Sequence, residues 1–157
     1  MTDRLVDFIT ARARGGVGFI IVGGCLIDEY GGMVNMISLS DDRYLPDLKR
    51  LTNAVKAEET KIVAQLYQAG RYTHSSMIGG KNPFSASAVR PKLTDETPRA
   101  LELDEIPAVQ DRFAEAVLRV QKAGFDAVEV LRKCEISDQP IPYAPDQSAR
   151  GQIRRFS

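Results

Sequence analysis

The chain has one histidine, two cysteines and no surplus of either charge, and each scarcity excludes something. Cys25 and Cys134 stand far apart, outside any CxxC pairing and with no histidine beside them, which argues against a disulfide scaffold or a zinc site. A lone histidine, His74, cannot assemble a Ser-His-Asp or Cys-His arrangement in its loop position, and no role is assigned to it. Twenty-one Lys and Arg balance 21 Asp and Glu over 157 residues. The basic residues are interspersed with acidic ones, as on a solvated face, so no nucleic-acid or membrane-surface partner is expected. No apolar run reaches membrane-spanning length, and "MTDRLVDFITARARGG" has no signal-type apolar core, which makes the cytoplasm the expected compartment. Two phosphate-binding signatures are also missing. No GxGxxG follows a strand, and "MIGGKNP" lacks the first Gly and the final Ser or Thr of a P-loop.

The chain does contain regular alternation. "TDRLVDFITARARGG" predicts a helix capped by Thr2 or Asp3, with Leu5, Phe8, Ile9 and Ala13 as its apolar stripe and Gly15–Gly16 as its stop. "VGFIIVGG" then reads as a strand buried on both faces. After a loop over residues 25–40, "SDDRYLPDLKRLTNAVKAEE" predicts a second helix. Asp41 or Asp42 is its cap, Pro46 lies in its first turn, and Leu45, Leu48, Leu51 and Val55 face inward. "TKIVAQL" is the second buried strand. A long Ser-, Gly- and Pro-rich loop runs from Tyr67 to about Leu103, and ordered loops of that length are commonly functional. "DEIPAVQDRFAEAVLRVQKAG" predicts a third helix with Ile106, Val109, Phe113, Val117 and Val120 inward and Gly124 as its stop, followed by the strand "FDAVEV".

The order α-β-α-β-α-β implies parallel α/β architecture, as an open doubly wound sheet or a (β/α)8 barrel, and the missing dinucleotide turn tilts toward the barrel. In both, ligands gather at the C-terminal strand ends. Gly23–Gly24 there is either a plain turn or bare backbone against which a flat ligand could lie. Gln65, closing an apolar strand, either satisfies neighbouring backbone or donates and accepts toward a heterocycle. The residues alone leave both pairs of readings open.

The segments "ARARGGVGFIIVGG", "KIVAQLYQAGRY", "SASAV", "TPRALELDEI" and "FAEAVLRVQKAGFDAVEV", in that order, resemble the Old Yellow Enzyme family of FMN-dependent NAD(P)H:flavin oxidoreductases, and in flavour its 2,4-dienoyl-CoA reductase branch. The resemblance covers residues 4–130. It implies an α/β fold, a fragment of a (β/α)8 TIM barrel comprising about strands 2 to 4 with their helices. It also implies FMN at the C-terminal mouth, NAD(P)H as electron donor, and hydride delivery from the flavin to an electron-poor C=C of an enone or enoyl-CoA-like substrate. By the same resemblance Gly24 lies against the flavin and Gln65 hydrogen-bonds the pyrimidine end of its ring. "QAGR" carries Gln68 where the family usually has His.

Residues 131–157 match none of the family's continuation. Back-translated from the second base of the Leu131 codon, with permitted wobble, they can spell C-G-N-A-R-Y-L-I-S-Q-F-L-T-P-R-T-N-Q-R-E-D-K-Y-G-G-S, which fits the family spacing except where Lys or Arg replaces a Gly. The expectation is therefore a partial FMN-binding domain over residues 1–130 and a frameshifted tail over 131–157. The branch's proton-donor Tyr would lie in the alternative frame, and Tyr143 is not its equivalent, so no catalytic residue is assigned in this chain. Nor is any metal ligand. Without the family's first and later strands, the chain is expected to be a poorly stable fragment, inactive alone. The competing expectations are a non-catalytic half-barrel that binds or self-associates, and an unrelated α/β phosphate-binding enzyme.

Overall fold

The computed structural model describes residues 1–32 and 35–131, and the backbone of 153–155. The expectations for the tail, including Tyr143 and Cys134, lie outside the described residues. Helix α1 (Asp3–Arg14) leads to strand β1 (Phe19–Leu26), α2 (Leu45–Lys56) to β2 (Lys61–Tyr67), and α3 (Ile106–Lys122) to β5 (Ala127–Val130). Between β2 and α3 lie the two-residue strands β3 (Phe84–Ser85) and β4 (Arg99–Ala100), which pair with each other in parallel. The main sheet has the order β1-β2-β5-β6, where β6 is Ile153–Arg155. Its first three strands are parallel, as the alternation predicts, and β6 runs antiparallel to β5, which no sequence pattern announced.

The helix ends follow local chemistry. Thr2 caps α1 by accepting from the Leu5 amide. Asp41 caps not α2 itself but the 3-10 turn before it, accepting from the Arg43 amide, and Pro46 sits in the first turn of α2. Glu102 and Glu105 form a capping box ahead of α3. The α1–β1 and α3–β5 junctions, in "RARGGVGFIIV" and "QKAGFDAVEV", share a turn, since Gly16 (φ 82°) and Gly124 (φ 84°) are both left-handed. The α2–β2 junction makes the same turn with Glu59 at φ 57°, a position the sequence did not reveal because its residue is not glycine.

The core lies between the helices and one face of the sheet. Leu48, Leu51 and Val55 from α2 join Val22, Ile62, Ala64, Leu66 and Val128 from the strands, with Ala116 and Val120 from α3. Thr52 donates its hydroxyl to the carbonyl of Ala123 at 2.6 Å and so ties the C-terminal end of α3 to α2. Three sequence expectations are corrected here. Strand β1 is not buried on both faces: Phe19 is 56% and Ile21 36% exposed, because the helices pack on the opposite face only. The central strand β2 does bury Ile62, Val63, Ala64 and Leu66. Phe8 leaves the α1 stripe and is exposed, with the Arg12 guanidinium over its ring, while Val6 takes the inward position. Ile106 is exposed at the start of α3. No helix among the described residues is long and apolar enough to cross a membrane.

Candidate functional site

Parallel register decides which side chains share a face. Ile21 pairs with Val63, Val63 with Ala127, and Gln65 with Glu129, so all five residues point away from the helix layer. Toward the C-terminal end of β1 the ladder shifts register between Val22 and Cys25: Val22 pairs with Ala64 and Cys25 with Leu66, leaving Gly23 and Gly24 opposite Gln65 alone. This is a bulge, and Gly24 adopts φ 68° in it. Its Cβ direction is occupied by the Met36 methyl.

The bulge turns the Gly24 amide toward Gln65, whose Oε1 accepts from it at 3.1 Å. Gln65 Nε2 in turn donates to Glu129 Oε2 at 2.7 Å. The structure thus joins Gly24 and Gln65, the two residues singled out in the sequence, and adds Glu129 across a third strand. The sequence reading missed Glu129, although its signal is the same as that of Gln65: one polar residue breaking a short apolar strand, in "AVEV" as in "IVAQL".

Neighbouring groups support the site without entering it. Cys25 is fully buried, and burial pushes its thiol up to about 12, which keeps it protonated and unreactive. Gln68 Oε1 accepts from the Gly70 amide at 2.6 Å, so this residue folds the start of the long loop. Asp28, buried in the loop after β1, accepts from the Tyr30 amide at 2.9 Å and from Arg112 at 3.2 Å. Burial raises its pKa against those two partners. Tyr30 packs edge-on to Phe84, centroids 4.9 Å apart, and Lys81 pairs with Glu29 at 2.6 Å. These contacts dock the long loop, and with it "MIGGKNP", onto the loop after β1. His74 is bound within the long loop, its Nδ1 accepting from the Ser76 amide and its Nε2 3.4 Å from Asp95. No cluster of three or more potential His, Cys, Asp or Glu metal ligands occurs among the described residues. A cavity of about 890 Å³ opens between the loop after β1 and the starts of α1 and α2, and its lining includes Met36, whose methyl lies where a Cβ on Gly24 would point.

The sequence profile of the NADH:flavin oxidoreductase / NADH oxidase family matches residues 1–133. A "Metal reductase" of Desulforamulus reducens is 50% identical over 131 residues, which are 83% of this chain and 20% of that protein. An "NADH:fumarate oxidoreductase" of Klebsiella pneumoniae is 36% identical over 132 residues, 83% of this chain and 14% of that one. Among solved structures, morphinone reductase in complex with tetrahydroNAD superposes with a TM-score of 0.73 at 30% identity, over 80% of this chain and 39% of that one. The chain therefore spans well under half the length of each of these proteins.

Proposed function

Since the chain belongs to the NADH:flavin oxidoreductase / NADH oxidase family, we propose that residues 1–130 bind FMN as part of a flavin-dependent NAD(P)H oxidoreductase whose substrate is a small molecule with an electron-poor C=C. The observation that carries this reading is the Gly24–Gln65 hydrogen bond at the C-terminal end of β1 and β2. Gly23 and Gly24 present backbone without side chains, and the apolar Ile21 precedes them on the same face. Bare backbone, an apolar wall and one fixed amide suit a flat heterocycle with a polar edge. When bound, FMN supplies hydride transfer between a nicotinamide and the substrate, while the protein contributes position and charge. Gln65 would hold and orient the ring edge, and the Gly24 bulge would set how closely the ring approaches the sheet. A relative named for fumarate, itself an electron-poor alkene, supports the substrate class. A neighbour crystallised with tetrahydroNAD supports the nicotinamide donor.

Fluorescence titration of the chain with FMN tests the reading. Saturable quenching is expected, and Gln65→Leu should weaken binding by roughly tenfold to a hundredfold, because it removes the hydrogen bond to the ligand and strands the Gly24 N–H. Equal affinity of wild type and Gln65→Leu would sink the assignment. A second reading, self-association through the apolar residues of β1, is favoured by exposed Phe19 and Ile21. Light scattering should then give a discrete dimer that Phe19→Ser dissociates, whereas a monomer at micromolar concentration removes this reading.

A further inference from the structure

Gln65 is held at both ends of its amide, and the two partners leave no choice about which end is which. The Gly24 N–H can only donate, so the atom facing it must be Oε1; the Glu129 carboxylate accepts, so the atom facing it must be Nε2. Oε1 also faces the bare backbone of Gly23, where an added Cβ would lie 3.4 Å away in ordinary contact. What Gln65 has left is the second hydrogen on Nε2 and the second lone pair on Oε1, each now at a fixed place. The expectation from sequence, in which the amide both donates and accepts toward a ligand, thereby gains a fixed polarity.

We infer that Glu129 is a positioning residue: its carboxylate locks the Gln65 amide in one orientation, so that the second N–H of Nε2 is held at a fixed place for an acceptor on a heterocycle edge, a ring carbonyl or unprotonated ring nitrogen. The register of β2 and β5 makes this possible, since Gln65 and Glu129 are direct cross-strand partners on the face away from the helices. A carboxylate accepting from an amide makes a charge-assisted bond, stronger than the amide–amide bond a Gln at 129 would make. Glu129 need not touch the ligand to act. The choice of FMN as ligand rests on the proposed function; the locking of the amide does not.

The test uses the whole chain, labelled with nitrogen-15, in wild type and in the variants Glu129→Ala and Glu129→Gln. In the wild type without flavin, the Gln65 side-chain NH2 should give two well-separated proton signals and exchange slowly. Values typical of an exposed glutamine would overturn the inference without any variant. Glu129→Ala should bring those signals toward exposed-glutamine values and weaken FMN binding about tenfold, the loss expected when one charge-assisted hydrogen bond disappears. Glu129→Gln retains an acceptor and should keep the slow exchange and stay within about threefold of wild type. Unmoved Gln65 signals in Glu129→Ala would refute the positioning role, as would a Glu129→Gln chain that loses the protection. If wild type takes up no FMN, the flavin reading fails, while the Gln65 signals still decide the role of Glu129.

Discussion

Gly24→Ala is expected to be among the most damaging single-methyl additions in this chain. Two costs combine. A left-handed φ of 68° disfavours any residue with a Cβ, by about 1–2 kcal/mol. The added methyl also points into the Met36 methyl, so that flexible, half-buried side chain must swing aside, which adds a smaller packing cost. Urea unfolding followed by circular dichroism measures the sum. Gly23→Ala is the internal control, because Gly23 does not have a left-handed φ and its added Cβ would sit in ordinary contact with Gln65 Oε1. The double variant Gly24→Ala/Met36→Ala separates the two costs: it should recover the packing part and keep the backbone part. A Gly24→Ala protein within about 0.5 kcal/mol of wild type would show that the bulge relaxes freely. That result would also weaken the functional assignment, since a bulge that yields so readily could not hold the Gly24 amide on Gln65.

Leu51→Ala is the second large effect expected. Leu51 is fully buried on α2, within the cluster that includes Leu48, Val55, Ile62 and Leu66. Truncating a buried leucine removes its transfer free energy and leaves a cavity, a combined cost of about 2–5 kcal/mol. Small domains have only about 5–15 kcal/mol of net stability, so the fraction lost is large. Leu118 on α3 is 55% exposed, and Leu118→Ala should change stability by no more than about 0.5 kcal/mol. Similar unfolding midpoints for the two variants would mean that the helix layer does not form a single packed core with the sheet. The contrast needs no ligand, which makes it a test of the fold independent of any flavin.

The residues of the candidate site were legible to different degrees. Gly24 and Gln65 stood out because glycine and a terminal polar residue are rare inside short apolar strands, and a family resemblance attached them to one ligand. Glu129 has the same local signature, yet nothing in the linear text says that it meets Gln65. That pairing depends on β2 and β5 being neighbours in register, a fact of strand order separated by 64 positions in sequence. The Asp28–Arg112 pair was equally invisible, since 84 residues separate its members. Glu59 escaped notice for a different reason: a left-handed turn is usually announced by glycine, and here the junction holds a glutamate in that conformation.

By itself, then, the sequence determined the helices, the three parallel strands, the Thr2 cap and the glycine-marked turns, because periodicity and capping act over a few residues along the chain. Tertiary structure alone decided which strand faces are covered, so that Phe19 and Ile21 are exposed despite an apolar run that predicted double burial. It also decided that Gly24, Gln65 and Glu129 form one hydrogen-bonded line across three strands. Burial and cross-strand contact depend on what packs alongside, and a local pattern carries no record of its neighbours in space.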